Sequence, residues 1–406
     1  MTAYLSPVQP AIAHLRKEKD AALRRRHPWV FSGAIAKWTG TPADGDVVAV
    51  QAASGESLGF GHFAAGSSIA VRMLTFGTGP QPDEAWWIDR IRAAVEARRR
   101  WGLMQAPGQT SCRLVHGEGD GLPGLIVDLY GDCVVVQNHT LGMARSLEIT
   151  RSAVLEACAG TPIRIYDKSS KALHRSTRQT STDGWLFGEH VEAAVLAEEQ
   201  GRTYEVDVVA GQKTGFFLDQ RDNRNFVRDH AAGRNVLNVF SYTGGFSVAA
   251  FQGGATQVTS LDSSAAAVEL ARANVIRNGF ADEAHAIVQA DAMDYLKQGV
   301  AGFGCVVLDP PAFAKNHSAR HAAVQAYKRI NLAALRTMDP GALLFTFSCS
   351  QAVDEALFAH TLASAAMDSG REVRVLRRLH QPPDHPVSLA HPEGAYLKGL
   401  LLEVVR

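Results

Sequence analysis

Cys349 stands between Ser348 and Ser350 at the end of an apolar run, LLFTF. A thiol at the exit of a buried strand, flanked by polar residues, is placed where a thiolate can act as a nucleophile. Cys305, inside another apolar run, reads instead as a small buried hydrophobe. Forty residues before Cys349, Asp309 ends that second run and is followed by Pro310 and Pro311. The two prolines stiffen the exit and fix where the carboxyl points. An acid held beside the Phe313 ring suits a planar heteroaromatic substrate, the ring stacking and the acid addressing an edge. The competing reading of Asp-Pro-Pro is a plain turn after a strand.

Three further run ends carry ligand chemistry. Gly244 and Gly245 permit a tight turn and close backbone approach, and the helix after them offers N–H groups to a carboxylate. Taken alone, such a pair is a plain turn. Asp262, eighteen residues after Gly244, can accept hydrogen bonds from both hydroxyls of a ribose. Asp291 can meet an adenine amino group. Either acid also fits a helix N-cap, but both at this spacing point to an adenosine-containing ligand. A GxGxxG fingerprint is missing, which counts against a nicotinamide dehydrogenase.

These residues need a scaffold that brings strand ends together. From about residue 203, five short apolar runs alternate with helical stretches such as AAAVELARANVIRNG. That alternation predicts a doubly wound parallel sheet, with ligands beyond the carboxyl ends of its strands. Residues 27–76 read as short strands broken by Gly and Ser-Gly turns. A helix follows over about Glu84–Trp101, then α+β structure with a hairpin turning at Tyr130-Gly131-Asp132. The expected domains are 1–76, 77–200 and 201–406.

The 406 residues carry 41 basic and 41 acidic side chains, so indiscriminate coating of nucleic acid is not expected. Three basic clusters nevertheless fit phosphate contacts: residues 14–29 with Arg24, Arg25 and Arg26, residues 90–102, and residues 163–179. Solvated faces are the alternative for each. The five cysteines form no CxxC pair and the fifteen histidines no HExxH, so neither a disulfide framework nor a metal site is expected. No run of eighteen apolar residues occurs. The expectation is a reduced, cytoplasmic protein without a membrane span.

Several motifs together resemble one family. HPWVFSGAI, VHGEGDGLPGLIVDLYGD, GQKTGFFLDQRDNR, NVFSYTGGFSVAA, VVLDPPAFAKN, FTFSCS and HPEGAYLKGL occur in that order over nearly the full length. The chain resembles bacterial large-subunit rRNA cytosine-C5 methyltransferases of the methyltransferase I type. The resemblance implies an α/β protein: a Rossmann-like class I methyltransferase domain, preceded by a small β-rich PUA-like RNA-binding domain and a central α+β domain. It implies S-adenosylmethionine as cofactor, with the Gly244 loop, including Phe240 and Tyr242, at its methionine part. Asp262 would take the ribose, Asp291 the adenine, and Asp309 would border the same pocket. The partner would be 23S rRNA or a large-subunit assembly intermediate, with no membrane and no metal, and a homodimer is one arrangement for such enzymes.

The resemblance also gives Cys349 a task. Cytosine C5 is a poor nucleophile, and thiolate attack at C6 makes it enamine-like. A protonated Asp309 would donate to N3 and stabilise the adduct. Pro310, Pro311 and Phe313 would hold a base taken out of its stack, and Arg24, Arg25 and Arg26 would bind RNA phosphate. Many RNA cytosine methyltransferases carry a second Cys where this chain has Ala312, so the base that removes the C5 proton is open. Uracil-C5 methylation, guanine-N methylation and a non-catalytic RNA-binding assembly factor remain as rival readings.

Overall fold

The structure, a computed structural model, describes residues 10–104, 106–158, 164–173, 182–188, 194–314 and 317–406. Its contacts divide the chain into two units. One comprises residues 1–197, 206–216 and 383–394, the other 198–205, 217–382 and 395–406.

Two sheets of five or more strands lie in the first unit among the described residues. The six-stranded sheet runs Trp29–Phe31, Ile69–Met73, Ser57–Phe63, Val47–Gln51, Ile12–Leu15, Ile35–Thr39. The five-stranded sheet runs Gly184–Phe187, Arg164–Asp167, Cys133–Asn138, Leu125–Tyr130, Ser111–His116, with the hairpin turn at Gly131 in the left-handed region. Asp83 starts the Glu84–Arg100 helix by accepting the Trp86 N–H at 2.9 Å. Its buried residues Trp87, Ile91, Ala94, Val95 and Arg98 recur at helical spacing.

The second unit is built on seven strands in the order His285–Gln289, Gln257–Asp262, Asn235–Val239, Cys305–Leu308, Leu343–Ser348, Lys398–Val404, Val373–His380. The first five are mutually parallel. The Val and Leu residues of the three central strands, Asn235–Val239, Cys305–Leu308 and Leu343–Ser348, are buried, which is why those strands read as continuous apolar runs, whereas His285–Gln289 at the edge is partly exposed. Lys398–Val404 runs antiparallel to both of its neighbours, an insertion the alternating pattern does not predict, and Val373–His380 is thereby parallel to the first five. Val373–His380 is the edge strand, with its side chains largely exposed and arginines at 374, 377 and 378. Helices close the crossovers with ordinary caps. Ser264 caps Ala265–Arg277, Asp354 caps Glu355–Ser369, and Gly370 (φ 71°) ends the latter. The strand order reverses between Asn235–Val239 and Cys305–Leu308, the switch point at which such sheets bind ligands.

Among the described residues, no helix is long and apolar enough to cross a membrane.

Candidate active site

The switch point brings the predicted strand-end residues to one edge of the second unit. Val239 pairs with Leu261 on one side and Leu308 on the other. The loop after Val239 therefore emerges between Asp262 and Asp309. Asp309 is anchored to it, its N–H reaching Val239 O at 3.5 Å.

That loop is strained. Phe240 (φ 61°), Tyr242 (φ 45°) and Gly244 (φ 79°) all lie in the left-handed region, and the first two are not glycine. Asp262 helps hold it: Oδ2 accepts the Tyr242 N–H and Oδ1 the Ser264 N–H, both at 3.0 Å. Asp262 is thus not the helix cap, which is Ser264. At Gly244 a Cβ would lie 2.9 Å from Ala271 Cβ, so glycine is required by contact as well as by φ. Ser241 Oγ and Thr243 Oγ1 are buried in this loop without a hydrogen-bond partner among the described residues. Buried hydroxyls left this way are what a polar ligand at the loop would satisfy.

Asp291 lies at the next strand end but caps the Ala292–Leu296 helix. Its Oδ1 accepts the Met293 N–H at 2.8 Å and the Asp294 N–H at 3.1 Å. The cap reading, open in the sequence, describes this oxygen; the carboxylate is otherwise exposed.

On the other side of the switch point, Leu308 pairs with Thr346, so Asp309 and Cys349 leave adjacent parallel strands in the same direction. Cys349 is half-buried, whereas Cys112, Cys133, Cys158 and Cys305 are buried. The flanking serines hold this exit together. Ser350 Oγ accepts the Ala314 N–H at 3.1 Å, tying the Asp-Pro-Pro loop to the residue after Cys349. It also shares a 2.9 Å hydrogen bond with Tyr327 Oη. Tyr327 in turn meets Phe313 edge-on, ring centres 4.8 Å apart, which sets the half-buried Phe313 ring. Pro310 is buried, and Pro311 and Ala312 are exposed.

Two residues at this edge are missed by strand-end reasoning. Gln220 Nε2 donates to Asp309 Oδ1 at 2.9 Å. Lys398, buried on the antiparallel strand opposite Ser348, donates from Nζ to Ser350 O and Val353 O. Both lie in quoted motifs, GQKTGFFLDQR and HPEGAYLKGL, which was the signal available.

The chain is similar over its length to proteins of one kind. A family model described as S-adenosylmethionine-dependent methyltransferase matches residues 112–403, and one described as PUA-like domain matches residues 13–76. Ribosomal RNA large subunit methyltransferase I of Aeromonas salmonicida is 37% identical over 396 residues, covering 96% of this chain and 98% of that protein. The protein of the same name from Shewanella denitrificans is 39% identical over 397 residues, covering 96% and 98%. The chain belongs to the large-subunit methyltransferase I family of S-adenosylmethionine-dependent enzymes. The methyltransferase has the fold of a Streptococcus mutans protein described as a SAM-dependent methyltransferase, with TM-score 0.82 at 22% identity over 97% of this chain and 100% of that one. A solved methyltransferase with the same TM-score, 0.82, was crystallised complexed with SAH. S-adenosylmethionine is the cofactor, and the strained, hydroxyl-lined Gly244 loop fits a polar group of that kind.

The basic clusters of the methyltransferase fare unequally. Arg24 is spent within the protein, on Asp20 at 2.8 Å and on both carboxylate oxygens of Glu56 at 3.1 and 2.6 Å. Arg25 and Arg26 are exposed. Arg26 lines a cavity of about 370 Å³ with Arg90, Glu118, Asp120 and Gly121. In the 90–102 cluster Arg98 is buried against Asp120, with two 2.7 Å contacts, while Arg92 pairs with Asp89 and Glu156 and Arg99 with Glu96. Self-pairing thus accounts for much of that cluster, and the phosphate reading passes to Arg25 and Arg26. Residues 163 and 174–179 of the third cluster lie outside the described residues.

Among the described residues one group has metal-ligating types: His27, His391 and Glu393, whose ligand atoms lie within 4.8 Å of one another. The Trp29 N–H donates to His27 Nδ1 at 3.2 Å, which leaves the proton of a neutral ring on Nε2, facing Glu393 Oε2 at 3.5 Å. A proton there competes with a metal for the same lone pair.

Proposed function

We propose that this methyltransferase modifies C5 of a cytosine in 23S rRNA through a covalent adduct of Cys349. The name carried by its relatives, ribosomal RNA large subunit methyltransferase I, supports an rRNA substrate. The observation that carries the covalent route is that Cys349 is only half-buried, at the crevice edge beside the Asp309 loop, while every other cysteine is buried. Burial pushes the thiols of Cys133 and Cys305 up to about 12 and that of Cys158 up to about 11, which makes them poor nucleophiles.

Bound S-adenosylmethionine supplies an electrophilic methyl group on a sulfonium. The Phe240–Gly244 loop would hold its methionine part, Asp262 the ribose hydroxyls, and the outward oxygen of Asp291 the adenine amino group. Asp309 stands at the boundary of the cofactor and base pockets. The Cys349 thiolate bonds to C6 of the base, and C5, now enamine-like, takes up the methyl group. With its Oδ1 engaged by Gln220, a proton on Asp309 sits on Oδ2 and is donated to N3 as charge develops there. A base then removes the C5 proton, the C–S bond breaks, Cys349 leaves as thiolate, and N3 returns its proton to Asp309. Pro310 and Pro311 fix the Asp309 exit, and Phe313 offers a ring against the extruded base. Arg25 and Arg26, in the PUA-like region, supply phosphate contacts.

Fluorine in place of the C5 hydrogen leaves nothing easily removed after methyl transfer, so the adduct should persist. Enzyme incubated with S-adenosylmethionine and a 5-fluorocytidine-containing rRNA fragment should give a denaturant-resistant band whose crosslinked peptide contains Cys349. Nucleoside mass spectrometry of rRNA from a deletion strain should lack one 5-methylcytidine. Loss of 5-methyluridine or a methylguanosine instead would replace cytosine as the target. Full activity in Cys349→Ala would sink the covalent route.

A further inference from the structure

The motif VHGEGDGLPG has no task in the scheme above, yet it walls a cavity. Its Glu118, Asp120 and Gly121 line the space of about 370 Å³ that Arg26 and Arg90 also border, and every lining residue belongs to the first unit. The volume falls within the range of small-ligand pockets, about 300–1,000 Å³. Pro28, Met73, Leu74 and the half-buried Phe76 make an apolar wall.

Pairing sorts the charges in this cavity. Asp120 is neutralised by the buried Arg98 through two 2.7 Å contacts, and its Oδ2 also accepts the His116 N–H at 2.6 Å. Glu118 Oε1 accepts the Trp29 Nε1–H at 2.9 Å, which leaves Oε2 as an acceptor. Arg26 and Arg90 are exposed and have no ion pair among the described residues. Arg90 is nonetheless held. Its guanidinium carbon lies 5.6 Å from the centre of the Trp86 ring, and a Cβ on Gly121 (φ 74°) would stand 3.3 Å from that carbon. Glycine at 121 thus lets the motif's backbone close on the guanidinium. Two cations, an apolar wall with an aromatic ring, and one acceptor match the parts of a nucleotide: phosphate, base face and base N–H.

Resting on the rRNA reading, we propose that this cavity receives one unstacked nucleotide of the RNA. Neither Cys349 nor Asp309 lines it, so this nucleotide is not the one methylated. Its base packs on Phe76 and the neighbouring apolar side chains, and Glu118 Oε2 accepts an N–H from the base edge. Arg26 and Arg90 take the flanking phosphates.

Equilibrium binding of a 23S rRNA fragment tests this, with thermal melting followed by circular dichroism as the check on folding. Ala93 lines the cavity from an exposed position on the Glu84–Arg100 helix, so Ala93→Phe fills the space and leaves every charge in place. It should weaken binding about fivefold or more, the loss of one stacked base, with the salt slope unchanged. Arg90→Gln should weaken binding and reduce the log–log salt slope by about 0.7, the value for one single-strand phosphate. The double variant should lose less than the product of the two, because both act on one nucleotide. Arg92→Gln removes a charge already paired with Asp89 and Glu156 and should change affinity by less than about threefold.

Wild-type affinity in folded Ala93→Phe, or equal losses in Arg90→Gln and Arg92→Gln, overturns the proposal. Should Ala93→Phe fail to fold, the two arginine variants still decide. Displacement of the fragment by micromolar nucleoside monophosphates would assign the cavity to a free nucleotide and overturn it as well. Wild-type protein that does not bind the fragment refutes the rRNA reading itself, whereas binding that the cavity variants leave intact refutes this proposal alone.

Discussion

Gln220 presents its amide N–H to Asp309 Oδ1 at 2.9 Å, and the orientation of that amide is itself enforced. Asn223 Nδ2 donates to Gln220 Oε1 at 2.6 Å and to His380 O at 3.2 Å. A backbone carbonyl can only accept, so it fixes which end of Asn223 faces it. Asn223 then fixes Gln220, and Gln220 can only donate to Asp309. All three side chains belong to the second unit. Removing the Gln220 donor takes away one hydrogen bond that orients Asp309. Gln220→Leu is expected to lower kcat by about one to two orders of magnitude, the equivalent of about 1.5–3 kcal/mol for a hydrogen bond to a charged group. S-adenosylhomocysteine affinity should stay within about twofold, as expected where the lost interaction acts on the substrate side. Normal turnover in that variant would remove Asp309 orientation from the mechanism.

Asp262 holds the Phe240–Gly244 loop through the Tyr242 N–H, and the role proposed for it is to accept from the ribose hydroxyls. Asp262→Ala loses both functions, since Oδ2 no longer receives the Tyr242 N–H. Calorimetry should show S-adenosylhomocysteine binding weakened by about 1.5–3 kcal/mol. Far-ultraviolet circular dichroism should be unchanged. Wild-type affinity would reject the ribose assignment.

The three neighbouring arginines should separate in an RNA-binding assay. Arg24 already faces Asp20 and Glu56, whereas Arg25 and Arg26 are exposed. Arg25→Glu with Arg26→Glu should weaken rRNA binding and flatten its salt dependence by about one to two in log–log slope. Arg24→Ala should change RNA affinity by less than about threefold. Equal losses from both changes would mean that Arg24 leaves its acidic partners for the RNA.

Two buried histidines set a pH limit on stability. Burial lowers His62 in the first unit to about 3 and His285 in the second to about 4. His285 is 6% exposed and shares a 2.7 Å hydrogen bond with Ser260 Oγ. Both rings are neutral when folded and titrate near 6.5 when unfolded. The unfolded chain therefore binds more protons as pH falls below about 6.5. The stabilisation is fully present above that value and is lost progressively down to the folded values. The slope is at most about 1.4 kcal/mol per pH unit for each ring. Urea unfolding between pH 7 and pH 5 should show this loss, and His285→Asn should reduce it for the second unit. An identical slope in the variant would remove His285 from the account.

What the sequence determined by itself was the alternation of strand and helix and the polar residues at the strand ends. The runs ending at Asp262, Asp309 and Ser348 are legible because parallel strands buried on both faces must be apolar throughout, so the first polar residue marks the exit. Cys349 and Asp309 fall on neighbouring exits as a consequence of that rule and the right-handed crossovers. Side-chain identity at a strand end did not distinguish Asp262, whose oxygens hold the Phe240–Gly244 loop and Ser264, from Asp291, which caps its helix. The two differ only in which backbone N–H groups come within reach. Nor does the run of basic residues at 24–26 show that Arg24 is spoken for by Glu56, thirty-two positions away. Gln220 and Lys398 depended most on tertiary structure. Gln220 reaches Asp309 across eighty-nine positions of chain, and Lys398 meets the Cys349 turn only because its strand pairs antiparallel with register Ser348 to Lys398. Such pairings depend on sheet register and on packing between elements distant in sequence, and no local periodicity encodes either.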